Sequence, residues 1–443
     1  MTSIAVIGAG KMGLPLACKL ASRGGRVVSC DINPALVAAI NAGEMPFDEP
    51  GVAEVLSQAV GSGALRATTD LTAVLPDAEV VIVIIPVLLT SRREADLDAI
   101  ESVTQTISEH LHPGQMVSYE TTIPVGTTRN RLRPILERSG YRAGIDFDLA
   151  FSPERVKSRL VLRNLSQVPK IVGGVNALSA SRAERFYATY LAAPVTNLGS
   201  LEAAEFAKLA GMVYRDVNIA LANELAEYAE QIGVDFRAVA AAANTDGESA
   251  LLTPGIGVGG HCTPVYPYFL LQHGAQLGLP MPITAKARAM NDAQAGRMLD
   301  RLCANDVRLE RVKVLILGLG FRPEVKEHTL SPAFLIRDEA ERRGAVVFLH
   351  DPLYTDTEIR AHGFRPFDFS GENMPPIIVL NTAHSAYAEV DFAQWRERGV
   401  QTVLDGRAFW NPDRARQAGL EYFAPGSPSE LVPILASREG VSC

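Results

Sequence analysis

Apolar residues follow two alternating patterns along the chain. Short continuous apolar runs such as SIAVI and VVIVII end near glycine or proline, and longer stretches with helical spacing separate them. This alternation predicts parallel strands covered by helices, because a parallel sheet is buried on both faces. It occurs in two regions, with predicted strands in SIAVIGAG, GRVVSCDIN, EVVIVIIP, QMVSYETTIP and DFDLAFSP, and then in RVKVLILGLGF, VVFLHDP, PIIVLNT and TVLDGR.

A different pattern lies between the two regions. From Leu201 to about Glu230, apolar residues recur at helical spacing without proline, which predicts one long helix. The predicted fold class is therefore α/β, with two doubly wound Rossmann-like parallel-sheet domains joined by a helical domain with a long central helix. We place the domain boundaries at 1–198, 199–305 and 306–443. The long helix is more apolar than two flanking sheets would require, so we expect a homodimer or a higher homo-oligomer.

Composition and charge argue against several classes of function. The 443 residues suit two or three domains, and the net charge of −8 disfavours nucleic-acid and membrane partners. The longest apolar run, VVIVIIPVLL, is shorter than the ~20 residues that span a bilayer, and no signal peptide is predicted. Five scattered cysteines without a CxxC pair disfavour disulfides and zinc. We expect a cytoplasmic protein without a metal site, in which Cys18, Cys30, Cys303 and Cys443 are ordinary apolar residues.

The first predicted strand leads directly into the sequence GAGKMG. In a G-x-G-x-x-G turn between a strand and a helix, Gly8 permits the tight turn, Gly10 lets a pyrophosphate approach, and Gly13 permits close packing of the helix. Lys11 and Met12 complete this predicted cofactor loop.

The second predicted strand ends at Asp31, where a carboxylate would bind ribose hydroxyls. Ile32 and Asn33 follow, without an arginine for a 2′-phosphate, which predicts NAD rather than NADP. A similar turn, GLGF at 318–321, lacks the third glycine and, in our interpretation, any matching acid. We do not expect a second dinucleotide site there.

A glycine-rich segment, GIGVGGHCTPVY, contains a single cysteine, Cys262. A structural cysteine needs no such setting, so the pattern favours a thiol that meets a ligand. We expect Gly259 and Gly260 to let that ligand approach the backbone. The alternative is a buried apolar cysteine.

These motifs occur together with FDEPG, ETTIPVGTT, SPER, EFAKLA and RDVNIALANE, and the order and spacing resemble one family. The chain resembles the nucleotide-sugar dehydrogenases, the family that holds the UDP-glucose and UDP-N-acetylmannosamine dehydrogenases. The resemblance implies a C-terminal domain that binds the nucleotide sugar, and NAD-dependent oxidation of the sugar's primary alcohol to the uronic acid. It also implies the route, in which a cysteine captures an aldehyde and the resulting thioester is hydrolysed.

The resemblance implies catalytic roles for four residues. Cys262 would be the nucleophile, and Lys208 in EFAKLAG the cation near the reacting oxygen. Glu154 in SPER would be the base for hydrolysis, and Thr122 in ETTIP would lie near the nicotinamide and the water. The structural alternatives are a solvated helix face for Lys208, an ion pair of Glu154 with Arg155, and an ordinary strand end for Thr122.

The remaining predicted contacts complete the candidate site. We expect Pro86 and Thr122 to contact the cofactor. The predicted substrate contacts are Glu154, Arg155, Lys208, Gly259, Gly260, Tyr266 and Arg322. His261 could activate the adjacent thiol if its ring folded back, but neighbouring side chains usually diverge, so we favour a structural role.

The chain departs from the family pattern near the reacting centre. Met212 stands in place of an asparagine and cannot donate its hydrogen bond. Tyr266 stands in place of an aspartate that helps to activate the hydrolytic water, and a phenol is a poor base at neutral pH.

Two predicted cofactor contacts depart as well. Val87 replaces a threonine directly after the predicted strand EVVIVIIP, and Thr329 and Leu330 occupy the place of an arginine ahead of Ser-Pro. Arg322 or Lys326 could compensate for that arginine.

These departures leave two enzyme hypotheses open. The first is a nucleotide-sugar dehydrogenase that uses Cys262, Lys208 and Glu154. The alternative is a redox-neutral NAD-dependent dehydratase, or a related one-step oxidoreductase, on a nucleotide sugar or nucleoside, because Met212 and Tyr266 affect only the later half of the reaction. A non-catalytic NAD-dependent sensor is disfavoured, because the three catalytic candidates occur together.

Overall fold

A computed structural model describes residues 2–428, so Cys443 lies outside the described residues. The chain divides into two compact units. Unit 1 comprises Met1–Gly211 and Tyr268–Leu279, and unit 2 comprises Met212–Pro267 and Pro280–Cys443. The division into three domains stays a prediction.

Unit 1 contains one eight-stranded sheet. Its strands are β1 (Ser3–Ile7), β2 (Arg26–Cys30), β3 (Leu65–Thr68), β4 (Val80–Val83), β5 (Met116–Tyr119), β6 (Asp148–Phe151), β7 (Lys170–Gly174) and β8 (Val195–Ser200). Their order is β3-β2-β1-β4-β5-β6-β7-β8, and β6 and β7 are the antiparallel pair. The order reverses between β1 and β4, which is the point where doubly wound sheets bind ligands.

Helices cover this sheet and bury its apolar residues. They are α1 (Gly13–Ser22), α2 (Pro34–Asn41), α3 (Val52–Gly61), α4 (Asp98–His110), α5 (Arg133–Leu136), α6 (Val161–Gln167) and α7 (Ala177–Leu191). Asn33 caps α2 through its side chain, which accepts from the backbone N–H of Ala35. Helix α8 (Leu201–Gln231) begins in unit 1 and continues into unit 2, as the helical spacing predicted.

Unit 2 contains a six-stranded, fully parallel sheet and the remaining helices. Its strands are β9 (Lys313–Leu317), β10 (Val346–His350), β11 (Arg365–Pro366), β12 (Ile377–Leu380), β13 (Thr402–Asp405) and β14 (Glu421–Phe423), in the order β11-β10-β9-β12-β13-β14. The helices that follow α8 are α9 (Phe236–Ala243), α10 (Tyr266–Gln276), α11 (Pro282–Ala304), α12 (Pro332–Arg342), α13 (Asp356–Ala361), α14 (Phe392–Glu397) and α15 (Pro412–Gln417).

The predicted fold class is confirmed by these two sheets and the helical region between them. The central strands are buried along their length, and the residues of β4 and β12 are apolar and mostly β-branched, as both-sided burial requires. Within the part of the chain that the structure describes, none of the helices combines the length and the apolar character of a membrane span.

Candidate active site

The turn between β1 and α1 has the geometry that its three glycines predict. Gly8 lies at φ +103°, and a Cβ atom there would lie 2.6 Å from the carbonyl oxygen of Ile84. A Cβ atom on Gly13 would lie 1.8 Å from the Gly8 carbonyl oxygen, whereas one on Gly10 would meet nothing within 4 Å. The open space beside Gly10, at the N-terminus of α1, therefore fits a pyrophosphate.

Asp31 follows β2 and closes this turn. Its carboxylate accepts hydrogen bonds from the backbone N–H groups of Ala9, at 2.8 Å, and Asn33, at 3.0 Å. Lys11 is half-buried, and Met12 packs against the core of unit 1, where it stabilises the turn. The turn and its carboxylate fit the NAD that the sequence predicts.

Three more candidate residues follow neighbouring parallel strands of this sheet. Pro86 comes after β4 and is exposed, Thr122 comes after β5 and is 5% exposed, and Glu154 comes after β6 and is half-buried. The hydroxyl group of Thr121 donates to the carbonyl oxygen of Ile85 at 2.6 Å and so ties the first two loops together. All three residues therefore lie at the carboxyl edge of the sheet, where α/β proteins bind ligands.

Lys208 and Glu154 lie together in unit 1. Lys208, on α8, is 7% exposed, and its Nζ donates to the backbone carbonyl oxygen of Glu154 at 2.5 Å. The Glu154 N–H donates to the carbonyl oxygen of Glu120 at 3.1 Å, and its carboxylate accepts from the N–H of Val156. Lys208 is thus buried rather than on a solvated helix face. The guanidinium of Arg155 donates to the backbone carbonyl oxygen of Pro169.

A buried ion pair beneath this edge was missed by the sequence reasoning. The Nζ atom of Lys170 lies 2.5 Å from a carboxylate oxygen of Glu120, and the Tyr187 hydroxyl donates to the other oxygen at 2.8 Å. Burial, and next the charge of Glu120, raise the pKa of Tyr187 well above its ordinary value. Lys170 also lines a small pocket with Glu154 and Arg155. The pair fixes the start of the ETTIP loop.

A second buried carboxylate, Glu205, holds the end of that loop. It is fully buried on α8 and accepts from the backbone N–H groups of Gly126, at 2.5 Å, and Thr128, at 2.9 Å. The Thr128 hydroxyl donates to it as well, at 2.6 Å. Burial outweighs these hydrogen bonds and raises the pKa of Glu205 to about 7. The EFAKLA motif itself begins with this acid, three residues before Lys208, and that was the available sequence signal.

The cysteine segment lies in unit 2, where Cys262 is half-buried and its carbonyl oxygen accepts the N–H of Tyr266 at 2.9 Å. Tyr266 is the first residue of α10 and is also half-buried. A Cβ atom on Gly259 would lie 2.4 Å from Cβ of Phe321, and Gly260, at φ +99°, has the Phe321 ring 3.0 Å from that position. The space beside these glycines is therefore filled by the protein's own C-terminal sheet domain. Close packing is thus one reason for glycine at both positions, and the ligand contacts that we expected there stay predictions.

His261 contacts an acidic side chain. Its Nε2 atom lies 3.3 Å from a carboxylate oxygen of Glu327. The structural role that we favoured for His261 agrees with this contact.

The second glycine turn corrects one sequence interpretation, because it does have a matching acid. The N–H of Gly318 donates to the carbonyl oxygen of His350, as that of Gly8 does to Cys30, and Asp351 accepts from the N–H of Leu319 at 2.7 Å. Asp351 is only 2% exposed and lies 3.3 Å from Nε2 of His384. The acid is therefore used inside the protein and is not presented to a ribose.

The two compensating cations differ in their surroundings. Lys326 lies 2.5 Å from a carboxylate oxygen of Glu358, while Arg322 is half-buried beside the glycine turn. Thr329, which replaces the family arginine, uses its carbonyl oxygen to accept the Gly260 N–H at 2.9 Å. The ligand contacts that we expected from Arg322 and Lys326 stay predictions.

The structure thus places Thr122, Glu154 and Lys208 in unit 1, and Cys262 and Tyr266 in unit 2. Met212 is half-buried at the start of unit 2. Among residues 2–428, no group of three or more His, Cys, Asp and Glu side chains is arranged to hold a metal ion.

Three family profiles match successive parts of the chain. All three describe the UDP-glucose/GDP-mannose dehydrogenase family: its NAD binding domain at residues 2–191, its central domain at 202–293 and its UDP binding domain at 315–412.

Individual relatives cover nearly the whole length. The chain is 33% identical over 412 residues to UDP-N-acetyl-D-mannosamine dehydrogenase of Pyrococcus horikoshii, covering 91% of this chain and 95% of the relative. It is 30% identical over 423 residues to NDP-N-acetyl-D-galactosaminuronic acid dehydrogenase of Ralstonia nicotianae, covering 93% and 97%. The solved structure of UDP-D-ManNAc dehydrogenase from P. horikoshii superposes with a TM-score of 0.87 at 30% identity, covering 96% of this chain and 99% of that one.

Proposed function

Because the chain belongs to the UDP-glucose/GDP-mannose dehydrogenase family and is an NAD-dependent oxidoreductase acting on a CH–OH group, we propose that it oxidises a nucleoside-diphosphate N-acetylhexosamine to the uronic acid. Both named relatives act on N-acetylated hexose derivatives, which supports this substrate class. The observation that carries the chemistry is the buried contact of Lys208 Nζ with the carbonyl oxygen of Glu154, because it brings two groups with complementary roles together.

The first oxidation needs stabilisation of the oxygen that loses its proton. NAD, when bound, supplies the hydride acceptor for each of the two oxidations. Lys208 is held on a helix and is largely shielded from water, so its attraction for a negatively charged oxygen is stronger there than it would be in solvent. The N–H groups at the start of α1 and the carboxylate of Asp31 would hold the cofactor.

The second oxidation needs the aldehyde to be held covalently. In our proposal the Cys262 thiolate adds to the aldehyde carbon, and the resulting thiohemiacetal is oxidised to a thioester. Water, deprotonated by Glu154, then attacks the thioester and releases the acid and the thiol. Tyr266 and Met212 take the places of two groups that assist in this half of the family reaction, so we expect thioester hydrolysis to be the slow step.

The test measures NADH and product together. With UDP-linked N-acetylmannosamine and N-acetylgalactosamine as substrates, the native protein should form two NADH per uronic acid. Cys262→Ser should form no acid, because an alkoxide ester is harder to form and resolve than a thioester. Cys303→Ser is the matched control, since Cys303 is exposed on α11 and lies outside the glycine-rich segment. It should act like the native protein.

Two outcomes would contradict this proposal. A product lighter by one water, formed without NADH, would identify the redox-neutral dehydratase. Full acid formation by Cys262→Ser would remove the thioester from the mechanism.

A further inference from the structure

Four buried polar side chains connect α8 and α11 within unit 2. They are Asp216 and Asn223 on α8 and Arg288 and Asn291 on α11, and each is at most 3% exposed. Polar groups that are buried so completely are costly unless they are hydrogen-bonded. If helix packing were their only purpose, these four positions could hold apolar residues.

The four side chains form one connected chain of an ion pair and hydrogen bonds. Arg288 pairs with a carboxylate oxygen of Asp216, and Asn291 donates to that same oxygen at 2.8 Å. Asn223 donates to the side-chain oxygen of Asn291 at 3.4 Å. Arg288 also reaches Asp292, one turn further along α11, at 3.0 Å. We call Asp216, Asn223, Arg288 and Asn291 the interhelical network.

The network contacts the cysteine segment on both sides of Cys262. The side-chain oxygen of Asn223 accepts the N–H of Gly255 at 3.0 Å, seven residues before Cys262. Nη1 of Arg288 donates to the carbonyl oxygen of Thr263 at 3.4 Å, directly after Cys262. Backbone groups before and after Cys262 are therefore held by one connected set of buried side chains.

Between these two contacts the segment is held by residues that follow β13 in unit 2. The N–H of Ile256 donates to the carbonyl oxygen of Gly406 at 2.9 Å, and Arg407 donates to the carbonyl oxygen of Gly257 at 3.4 Å. A segment so rich in glycine loses much conformational entropy when it is ordered, so fixed contacts along its length are required to keep the thiol in one place.

We propose that the interhelical network positions Cys262 for its reaction with the aldehyde, with Asn223 and Arg288 as positioning residues. This proposal rests on Cys262 being the nucleophile. Arg288 is suited to the task because its planar guanidinium can serve Asp216, Asp292 and the Thr263 carbonyl oxygen at once, which a lysine cannot do.

The central test uses Asn223→Ala in the full-length protein. Loss of the acceptor for Gly255 should loosen the segment, so the half-buried Cys262 should react with iodoacetamide at least fivefold faster, measured on the Cys262 peptide by mass spectrometry. The kcat of acid formation should fall at least tenfold, while the KM for the nucleotide sugar changes less than threefold. Asn223→Asp keeps the acceptor oxygen for Gly255 but loses the donor to Asn291, so it should restore part of kcat.

Two further variants separate positioning from general stability. Arg288→Lys should behave like Asn223→Ala. The matched control is Arg297→Gln. Arg297 also links α11 to α8, because it pairs with Glu230 at 3.1 Å, but this ion pair does not involve the cysteine segment. It should lower the thermal midpoint without changing alkylation or kcat. If Arg288→Lys does not fold, Asn223→Ala and its aspartate partner carry the test alone.

The proposal is overturned if Asn223→Ala leaves both alkylation and kcat unchanged, or if Arg297→Gln alters them equally. Alkylation is measured without substrate, so this result does not depend on the proposed reaction. Failure of the proposed function would appear separately, as acid formation by Cys262→Ser.

Discussion

At the scale of single residues, Asp31 combines observed contacts with a proposed role. Its carboxylate accepts the backbone N–H of Ala9 in the glycine turn and that of Asn33, and in the proposed function it also binds the ribose. A substitution at Asp31 therefore tests both the loop and the cofactor, and the two effects have to be measured separately.

We predict that the native protein strongly prefers NAD to NADP and that Asp31→Ala weakens NAD binding far more than NADP binding. Loss of a charged hydrogen bond to the ribose should reduce NAD affinity about 10- to 100-fold. Asp31→Asn keeps an acceptor for the turn and should lose the same preference with a near-native urea midpoint. Titration of both cofactors by intrinsic fluorescence measures this, and equal native affinities for NAD and NADP would contradict the assignment.

The residues of the candidate site were predictable where a motif fixes the chemistry. The glycine turn needs four residues for steric or electrostatic reasons, and each could therefore be predicted: Gly8, Gly10, Gly13 and Asp31. Asp351 was missed because the second turn lacks the third glycine of the motif. Only the backbone geometry shows that this acid, which follows the next strand, accepts a hydrogen bond from the turn.

At the scale of elements, α8 has the predicted length and also carries structural tasks that periodicity does not reveal. Glu205 binds the loop after β5 from this helix, beside Lys208. Five strands were absent from the prediction: β3, β7, β8, β11 and β14. Strands β3, β11 and β14 have only two to four residues at the edges of their sheets, β8 is an edge strand with several polar residues, and β7 ends in two glycines. The long helix and the central apolar strands were predicted, since burial on both faces leaves a strong pattern.

We predict that Glu205 makes stability depend on pH. Because the pKa of Glu205 is raised from 4.5 to about 7, its contribution is complete below about pH 4.5 and is lost as the pH rises through about 7. The loss should be on the order of 3 kcal/mol. Between pH 5 and pH 8 the urea midpoint of the native protein should therefore fall, and that of Glu205→Gln should lack this fall.

Glu202 is the matched control on the same helix. Its hydrogen bond from Arg129 lowers its pKa, so its contribution is lost only at lower pH. Between pH 5 and 8, the curve of Glu202→Gln should run parallel to the native curve. A parallel curve for Glu205→Gln as well would show that Glu205 is ionised throughout.

At the scale of the whole molecule, one face of α8 in unit 2 is exposed and apolar. Tyr214, Leu221 and Tyr228 recur every seven residues and are 60%, 40% and 64% exposed. Residues at this spacing lie on one side of a helix, and an aromatic stripe of this kind is typical of a subunit interface.

We predict that the protein is a homodimer or a larger homo-oligomer through this stripe. Light scattering at micromolar concentration should give at least twice the 47.6 kDa chain mass. Leu221→Glu should dissociate the assembly, whereas a change at exposed Arg215, to serine, should not, because Arg215 lies off the stripe. A native mass of one chain would contradict the interpretation of α8 as an interface.

The packing of the cysteine segment has an evolutionary consequence. Gly259 and Gly260 leave no room for a side chain because Phe321 and its neighbours fill the space, and the N–H of Gly260 is bound by Thr329. A larger residue on either side can be accepted only if the other side changes too. The thiol segment and the turn after β9 should therefore covary during descent and be exchanged between related chains as a single block. A chimera that joins them from different parents would bring together surfaces that were never selected to fit.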